Sequence, residues 1–239
     1  MSRRDRLVII PAFNEADAIG GVVSQCHARA PDFDVLVIDD GSSDATAAIA
    51  AQCGATVLRH PFNMNYGAAL QTGYRYAARY GYAVAVQLDA DGQHDPADAP
   101  RLADPILSGR ADVVLGSRFL EHSTYEMPVL RRIGSHWFRF LVRAITGLSV
   151  TDPTTGLQGL SRNVLELYSS DVFPIDYPDA DMLVLLRRNG FRIEEVPVQM
   201  KQRTDSRSMH AGLGVLYYVY KMSLSILMNA FRAPIVRRP

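Results

Sequence analysis

The stretch YAVAVQLDADGQHDP, residues 82–96, joins a run of small and β-branched apolar residues to three aspartates and a histidine. Alternating Val and Ala without a charge reads as a strand buried on both faces, the kind found in parallel sheets. The charges follow at once. Asp89, Asp91 and Asp95 crowd one turn, and carboxylates this close repel each other unless something positive joins them. Asp89-Ala90-Asp91 at a strand end points both side chains the same way, about 6–7 Å apart on an extended backbone. Gly92 permits a tight turn, and Gln93 offers a further oxygen. Hard oxygen donors so placed suit a divalent cation completed by phosphate and water. Asp95, just before Pro96, reads instead as a helix N-cap. His94 reads as a surface or supporting group rather than a ligand.

The same alternation extends outward through the first half of the chain. Strand patterns at 6–13, 34–40 and 55–60 are followed by helical patterns over about 16–29, 43–53 and 67–80. The strands 82–89 and 111–119 flank a further helix near 97–108. Strand–helix alternation with near-continuous apolar strands predicts an α/β fold, a mostly parallel sheet with helices on both faces. Three polar clusters, NEAD after the first strand, DDGSSD after the second and DADGQHD here, all fall at carboxyl ends of strands. In open α/β sheets those ends share one crevice, where the ligand binds.

Beyond residue 120 the pattern is less regular. A basic amphipathic helix is expected over 129–146, then a Gly/Thr-rich link, TDPTTGLQGLSRN (151–163), then helices at 163–169 and 178–189 and a strand at 191–199. In LGVLYYVYKMSLSILMNAF (213–231), Leu213, Leu216, Tyr217, Tyr220, Leu224, Leu227, Met228 and Phe231 share one helical stripe; Lys221, Ser225, Asn229 and Arg232 share the opposite one. A transmembrane helix would hardly keep that polar stripe, whereas an interfacial or oligomer-forming helix would. The chain is read as one domain over 1–212 with an amphipathic helix and tail at 213–239.

The 239 residues carry 25 Lys and Arg against 25 Asp and Glu, so no global basic field invites nucleic acid. Cys26 and Cys53 lack metal-ligand spacing and read as reduced thiols of a cytoplasmic protein. The apolar run near the start ends at Pro11, too short for a signal peptide. No G-x-x-x-x-G-K-[ST], G-x-S-x-G or early G-x-G-x-x-G motif supports a kinase, hydrolase or dehydrogenase.

Six stretches, VIIPAFNEADAI, VLVIDDGSSDAT, NYGAALQTGY, VQLDADGQHDP, ADVVLGSRF and RIEEVPVQMKQR, occur in the order seen in family 2 glycosyltransferases of GT-A fold, which the chain resembles. LDADGQHDP and GSRF are most similar to the branch of dolichyl-phosphate and polyprenyl-phosphate sugar transferases. The resemblance implies inverting transfer from a nucleotide-sugar donor. It places Pro11, Phe13 and Glu15 around the base, with Asp40 hydrogen-bonded to it. Asp89 would contact the ribose or sugar side and serve as a further metal ligand, while Asp91, with Gln93, would hold Mg²⁺ or Mn²⁺ on the diphosphate. A cation there stabilises the charge that develops as the glycosidic bond breaks. Arg203 and Arg207 resemble a loop that closes on the diphosphate, although Asp205-Ser206 stands where that loop usually has glycine.

Arg118, in GSRF, and Arg131 and Arg132, opening an aromatic-rich helix, suit an acceptor with a phosphate head and a lipid tail. Asp179 and Asp181 open the helix of YPDADMLVLLRRNG (177–190), where hydroxyl-directed relatives place a general base; acids there also complement a helix dipole. The arginines favour a polyprenyl-phosphate acceptor and the aspartates a hydroxyl of a glycan or small metabolite. A third reading is a non-catalytic nucleotide-binding scaffold. With a lipid acceptor, the enzyme is expected peripherally at the inner membrane face, reaching lipid through the 213–231 helix, an oligomer or a membrane-protein partner.

Overall fold

The computed structural model describes residues 5–120, 129–174, 178–200, 213–233 and 235, without the side chains of 129–131, 133 and 213–216. Its first half runs β1 (Arg6–Ala12), α1 (Ala16–Arg29), β2 (Asp34–Asp39), α2 (Thr46–Gln52), β3 (Thr56–Arg59), α3 (Tyr66–Tyr80), β4 (Val84–Gln87) and, after a short 3₁₀ turn, α4 (Ala99–Leu107). The second half runs β5 (Val113–Ser117), α5 (Val129–Thr146), β6 (Gln158–Ser161), α6 (Arg162–Tyr168), α7 (Ala180–Arg188), β7 (Ile193–Pro197) and α8 (Leu213–Phe231).

One seven-stranded sheet, ordered β3-β2-β1-β4-β6-β5-β7, collects every strand among the described residues, and all but β6 run parallel. Strand alternation sorts the core. Leu7 and Ile9 of β1 with Leu36 and Ile38 of β2 face α3, α5, α6, α7 and α8. Val8, Ile10, Val35 and Val37 face α1, α2 and α4. Both faces are therefore covered, which is why these strands carry apolar residues at every position.

The link expected at 151–163 is in part a strand. Gln158–Ser161 inserts as β6, antiparallel between β4 and β5. Its disguise has a steric cause: a Cβ at Gly159 would stand 2.8 Å from the Leu102 carbonyl oxygen, so a residue with no side chain occupies the middle of the strand. The stripe of α8 also faces the other way from a core helix. Met222 and Ile226 are buried, whereas Tyr217, Tyr220, Leu224, Leu227, Met228 and Phe231 are exposed. Ser225 and Asn229 turn inward because they hold Asp181 of α7.

Helix α3 lies so close to β1 that a Cβ on Gly73 would sit 2.5 Å from Ile9 Cγ2. In α1, by contrast, a Cβ on Gly21 would meet nothing within 4 Å. Alanine in a helix interior gains about 0.5–1 kcal/mol over glycine, and overpacking costs about 1–3 kcal/mol. Gly21→Ala should therefore raise the urea midpoint and Gly73→Ala should lower it; equal shifts would show that this helix–strand contact relaxes freely.

Candidate active site

The carboxyl ends of β1, β2 and β4 lie at one edge of the sheet, and the loops that leave them are stitched together. After β1, Asn14 takes a positive φ of 54°. Its N–H donates to Ser42 Oγ (2.9 Å), and its Oδ1 accepts from Ser43 N–H (2.9 Å). Glu15 N–H donates to Thr46 Oγ1 (2.9 Å), and Ala16 N–H reaches Asp44 Oδ2 (3.2 Å). The two loops thus form one surface. Pro11 is buried beneath it, Glu15 is half-buried and Phe13 stands exposed.

Asp39 and Asp40 follow with their charges already engaged. Asp39 pairs with Arg59 (3.0 Å) and accepts from Ser42 N–H (3.2 Å). Asp40 Oδ1 meets His60 Nδ1 at 2.7 Å and accepts from Met64 N–H at 2.9 Å, while His60 Nε2 lies 2.9 Å from Thr72 Oγ1. Gly41 (φ +74°) packs on the chain at Phe62, where a Cβ would stand 2.5 Å from the carbonyl carbon. Asp40 is 3% exposed, so the predicted base-binding group is a clamped one.

At the end of β4 a chain of hydrogen bonds reaches Asp89. Tyr74 OH donates to Gln87 Oε1 (2.5 Å), Gln87 Nε2 donates to Tyr66 OH (2.9 Å), and Tyr66 OH donates to Asp89 Oδ1 (3.0 Å). Burial, then the charge of Asp89, pushes the Tyr66 hydroxyl well above the usual phenol range, so it stays a donor. On the other side Asp89 N–H donates to His94 Nδ1 (3.2 Å), which fixes the proton of the neutral ring on Nε2. That Nε2 is buried without a partner among the described residues, and His94 is only 3% exposed, so it is an interior prop of the turn and not a surface group. Asp91 Oδ1 accepts from Gln93 N–H (3.0 Å). The strand ends at Gln87, so the two aspartates sit on a turn and the strand-alternation argument for their direction does not hold. Asp95 caps the next turn through Ala97 N–H (2.9 Å) and pairs with Arg29.

The loop 151–157 forms another wall. Arg118 is held bidentately by Asp152, Nε to Oδ2 at 2.6 Å and Nη2 to Oδ1 at 2.8 Å. Arg118, expected at an acceptor phosphate, thus has its charge balanced inside the chain by a fully buried carboxylate. Glu195 of β7 orders the same loop, accepting from Thr151 N–H (2.8 Å) and Asp152 N–H (2.9 Å). The loop then passes so close to Asp89 that a Cβ on Gly156 would stand 2.9 Å from Asp89 Oδ2.

Asp179 and Asp181 come to this site together with α8. Tyr218 OH donates to Asp179 Oδ2 (2.5 Å), Ser225 Oγ donates to Asp181 Oδ2 (2.6 Å), and Asn229 Nδ2 reaches the Asp181 carbonyl (3.2 Å). Desolvation raises the Asp179 carboxyl most. The Tyr218 hydrogen bond opposes it, the charges of Asp181, Asp152 and Asp89 push further, and the group settles at about 7. Asp181 is also raised by burial, against the Ser225 hydroxyl and backbone N–H groups. The charges of Asp89 and Asp179 act on each other and on Tyr66, so the start of α7 lies close to the D-x-D turn.

The carboxylates of Asp89 and Asp91 are the hard donors a divalent cation takes. Among the described residues no group of three or more His, Cys, Asp and Glu is arranged for a metal, so a cation here would draw further oxygens from a bound diphosphate and water. Arg203 and Arg207 lie outside the described residues, as does the Arg131 side chain; Arg132 is exposed on α5.

The Glycosyl transferase family 2 profile matches residues 7–168. The chain belongs to that family. It is 31% identical over 232 residues to polyprenol monophosphomannose synthase of Mycolicibacterium smegmatis, covering 91% of this chain and 85% of that one. It is 32% identical over 214 residues to undecaprenyl-phosphate mannosyltransferase of Micrococcus luteus, covering 86% and 87%. Among solved structures, glucosyl-3-phosphoglycerate synthase from Mycobacterium tuberculosis, in complex with Mn²⁺, UDP and glucosyl-3-phosphoglycerate, superposes with a TM-score of 0.72 at 22% identity, covering 97% and 81%. That likeness establishes the shared GT-A fold of this glycosyltransferase.

Several site residues of this family 2 chain escaped the sequence reading. Tyr66 stands inside the motif NYGAALQTGY, yet nothing local assigns it to Asp89. His60, Asp152, Glu195 and Tyr218 act across 20 to 44 residues of chain, a separation no spacing rule spans.

The raised Asp179 has a stability consequence. In the fold it keeps its proton up to about pH 7, whereas the unfolded chain releases it near 3.9. Its contribution is most favourable below about pH 4 and declines as pH rises from about 4 to 7. Asp179→Asn should raise the melting temperature more at pH 8 than at pH 5, measured without added divalent cation. An equal gain at both would mean the carboxyl titrates normally.

Proposed function

We propose that this enzyme transfers a sugar, with inversion, from a nucleotide-sugar donor to a polyprenyl-phosphate acceptor at the inner membrane face. The D-x-D turn beside the stitched β1 and β2 loops at the carboxyl edge of the sheet, with Asp179 of the α7 start close to Asp89, carries the reading. The acceptor class is supported by the two lipid-phosphate mannosyltransferases to which the chain is similar over most of its length. Among the described residues no helix is long and apolar enough to cross a membrane, which fits peripheral attachment.

In this reading Pro11, Phe13 and Glu15 border the base, and Asp40, clamped by His60, presents its second oxygen to it. Asp89, anchored by Tyr66 and His94, faces the ribose and sugar. Asp91, with Asp89 and Gln93, holds Mg²⁺ or Mn²⁺, a choice supported by the Mn²⁺ in the structurally similar synthase. The cation would supply positive charge to the departing diphosphate. Arg203 and Arg207 are proposed to close on the diphosphate, and Arg131 and Arg132 to meet the acceptor's phosphate. Arg118 contributes by ordering the loop that meets Asp89.

A hydroxyl acceptor is the second reading, and Asp179 is what favours it. A carboxyl near 7 is poised to take a proton at neutral pH, which a hydroxyl needs and an already ionised phosphate does not. Asp91→Ala should abolish turnover with either acceptor. Asp179→Asn separates them: transfer to a prenyl phosphate should fall by less than about 10-fold, whereas base-assisted transfer to a hydroxyl should fall by about 10²–10⁴. Radiolabelled donor and extraction of lipid-linked product provide the assay. A wild-type enzyme that labels hydroxyl acceptors and no prenyl phosphate would overturn the first reading.

A further inference from the structure

The outward side of α8 has no protein partner among the described residues, yet it is apolar. Tyr217, Tyr220, Leu224, Leu227, Met228 and Phe231 are all exposed, Tyr220 at 68% and Phe231 at 82%. At 3.6 residues per turn these six fall within about 100° of the helix circumference, one continuous stripe. The stripe continues onto α5. Trp137 Nε1–H donates to Ser223 Oγ of α8 at 3.0 Å, and Trp137 stacks on Phe140 with ring centroids 6.0 Å apart. Both rings are exposed, at 44% and 61%.

Among the described residues of α5 and α8 and the one just past α8, the charges have one sign. Neither α5 nor α8 contains an aspartate or a glutamate. Arg132 and Arg143 are exposed on α5, and Arg232 is exposed just past α8. Lys221 lies 6.0 Å from the Tyr217 ring centroid, at the margin of the stripe. Leucines and methionine in the middle, a tryptophan and tyrosines among them and cations around them match the layers of an anionic bilayer surface: acyl boundary, headgroup level and lipid charge.

We propose that the α5–α8 face docks this enzyme in the plane of an anionic lipid bilayer. The inference deepens the lipid-phosphate reading and rests on it for its purpose, while the surface itself is argued from exposure and charge. The inner side of α8 holds the acids of the pocket through Tyr218 and Ser225. Docking therefore brings the pocket to within about one helix diameter, 10–12 Å, of the headgroups. A phosphate on a prenyl chain could reach the donor without leaving the bilayer.

Trp137 is the chain's one tryptophan and lies on the face itself, so its fluorescence reports contact directly. With the full chain and vesicles of phosphatidylglycerol and phosphatidylcholine, Trp137 emission should shift to the blue and the protein should float with lipid. Pure phosphatidylcholine and high salt should weaken both effects. The triple variant Tyr220→Ser, Leu224→Ser, Leu227→Ser should bind these vesicles about 10-fold more weakly or worse, with unchanged far-UV circular dichroism and unchanged turnover on a short, water-soluble prenyl phosphate. No flotation with anionic vesicles, or equal binding by the variant, overturns the proposal. So does lipid-free, concentration-dependent self-association that buries Trp137 in sedimentation and fluorescence. Vesicle binding without sugar transfer to any prenyl phosphate upholds the docking face and overturns the acceptor reading instead.

Discussion

Like charge gathered at the carboxyl edge of a parallel sheet is the constraint around which this structure is built. Asp39, Asp40, Asp89, Asp152, Asp179 and Asp181 all come from that edge or from the segments that close over it. The fold deals with them in two ways. Asp39 is matched by Arg59 and Asp152 by Arg118, while Asp40, clamped by the His60 ring, stands between the two kinds. Asp89, Asp179 and Asp181 receive hydroxyl donors instead, from Tyr66, Tyr218 and Ser225. A hydroxyl fixes direction without cancelling charge. His94, 3.8 Å from the Asp89 carboxylate, brings no cation either, because its Nδ1 accepts a backbone hydrogen bond. The partner type thus separates acids that build the scaffold from acids whose negative potential is left for a ligand.

This division explains why the pocket is assembled from distant segments. Arg118–Asp152–Glu195 orders the loop whose Gly156 abuts Asp89, so the direction of one carboxylate depends on β5, β7 and the loop before β6. Tyr218 places the Asp179 carboxyl from the last helix of the chain. Leaving several acids without cations costs stability, most clearly at Asp179, whose proton affinity rises to about 7.

The sheet and the acidic clusters were legible because their causes are local. Buried parallel strands must be apolar at every position, and the turns that follow them carry the polar chemistry, so VLVIDDGSSD and VQLDADGQHD announce both at once. The predicted bounds of α1 and α5, 16–29 and 129–146, coincide with the observed helices. What escaped was decided by packing. β6 reads as a link because the Leu102 carbonyl excludes any side chain at Gly159. The Asp152 partner of Arg118, 34 residues later, is invisible to spacing. The stripe of α8 was found correctly, but which side faces the core depends on Asp181, which draws Ser225 and Asn229 inward and leaves the aromatic side outside.

The central claim is that Asp91 and Asp89 of the D-x-D turn form a cation site completed by a nucleotide diphosphate. Electron paramagnetic resonance of Mn²⁺ titrated with the enzyme tests it without relying on turnover. The account predicts weak Mn²⁺ binding alone, binding at least about 10-fold tighter when a nucleoside diphosphate is present, and loss of that enhancement in Asp91→Ala. Mn²⁺ binding that ignores the nucleotide, or that survives Asp91→Ala unchanged, would contradict it.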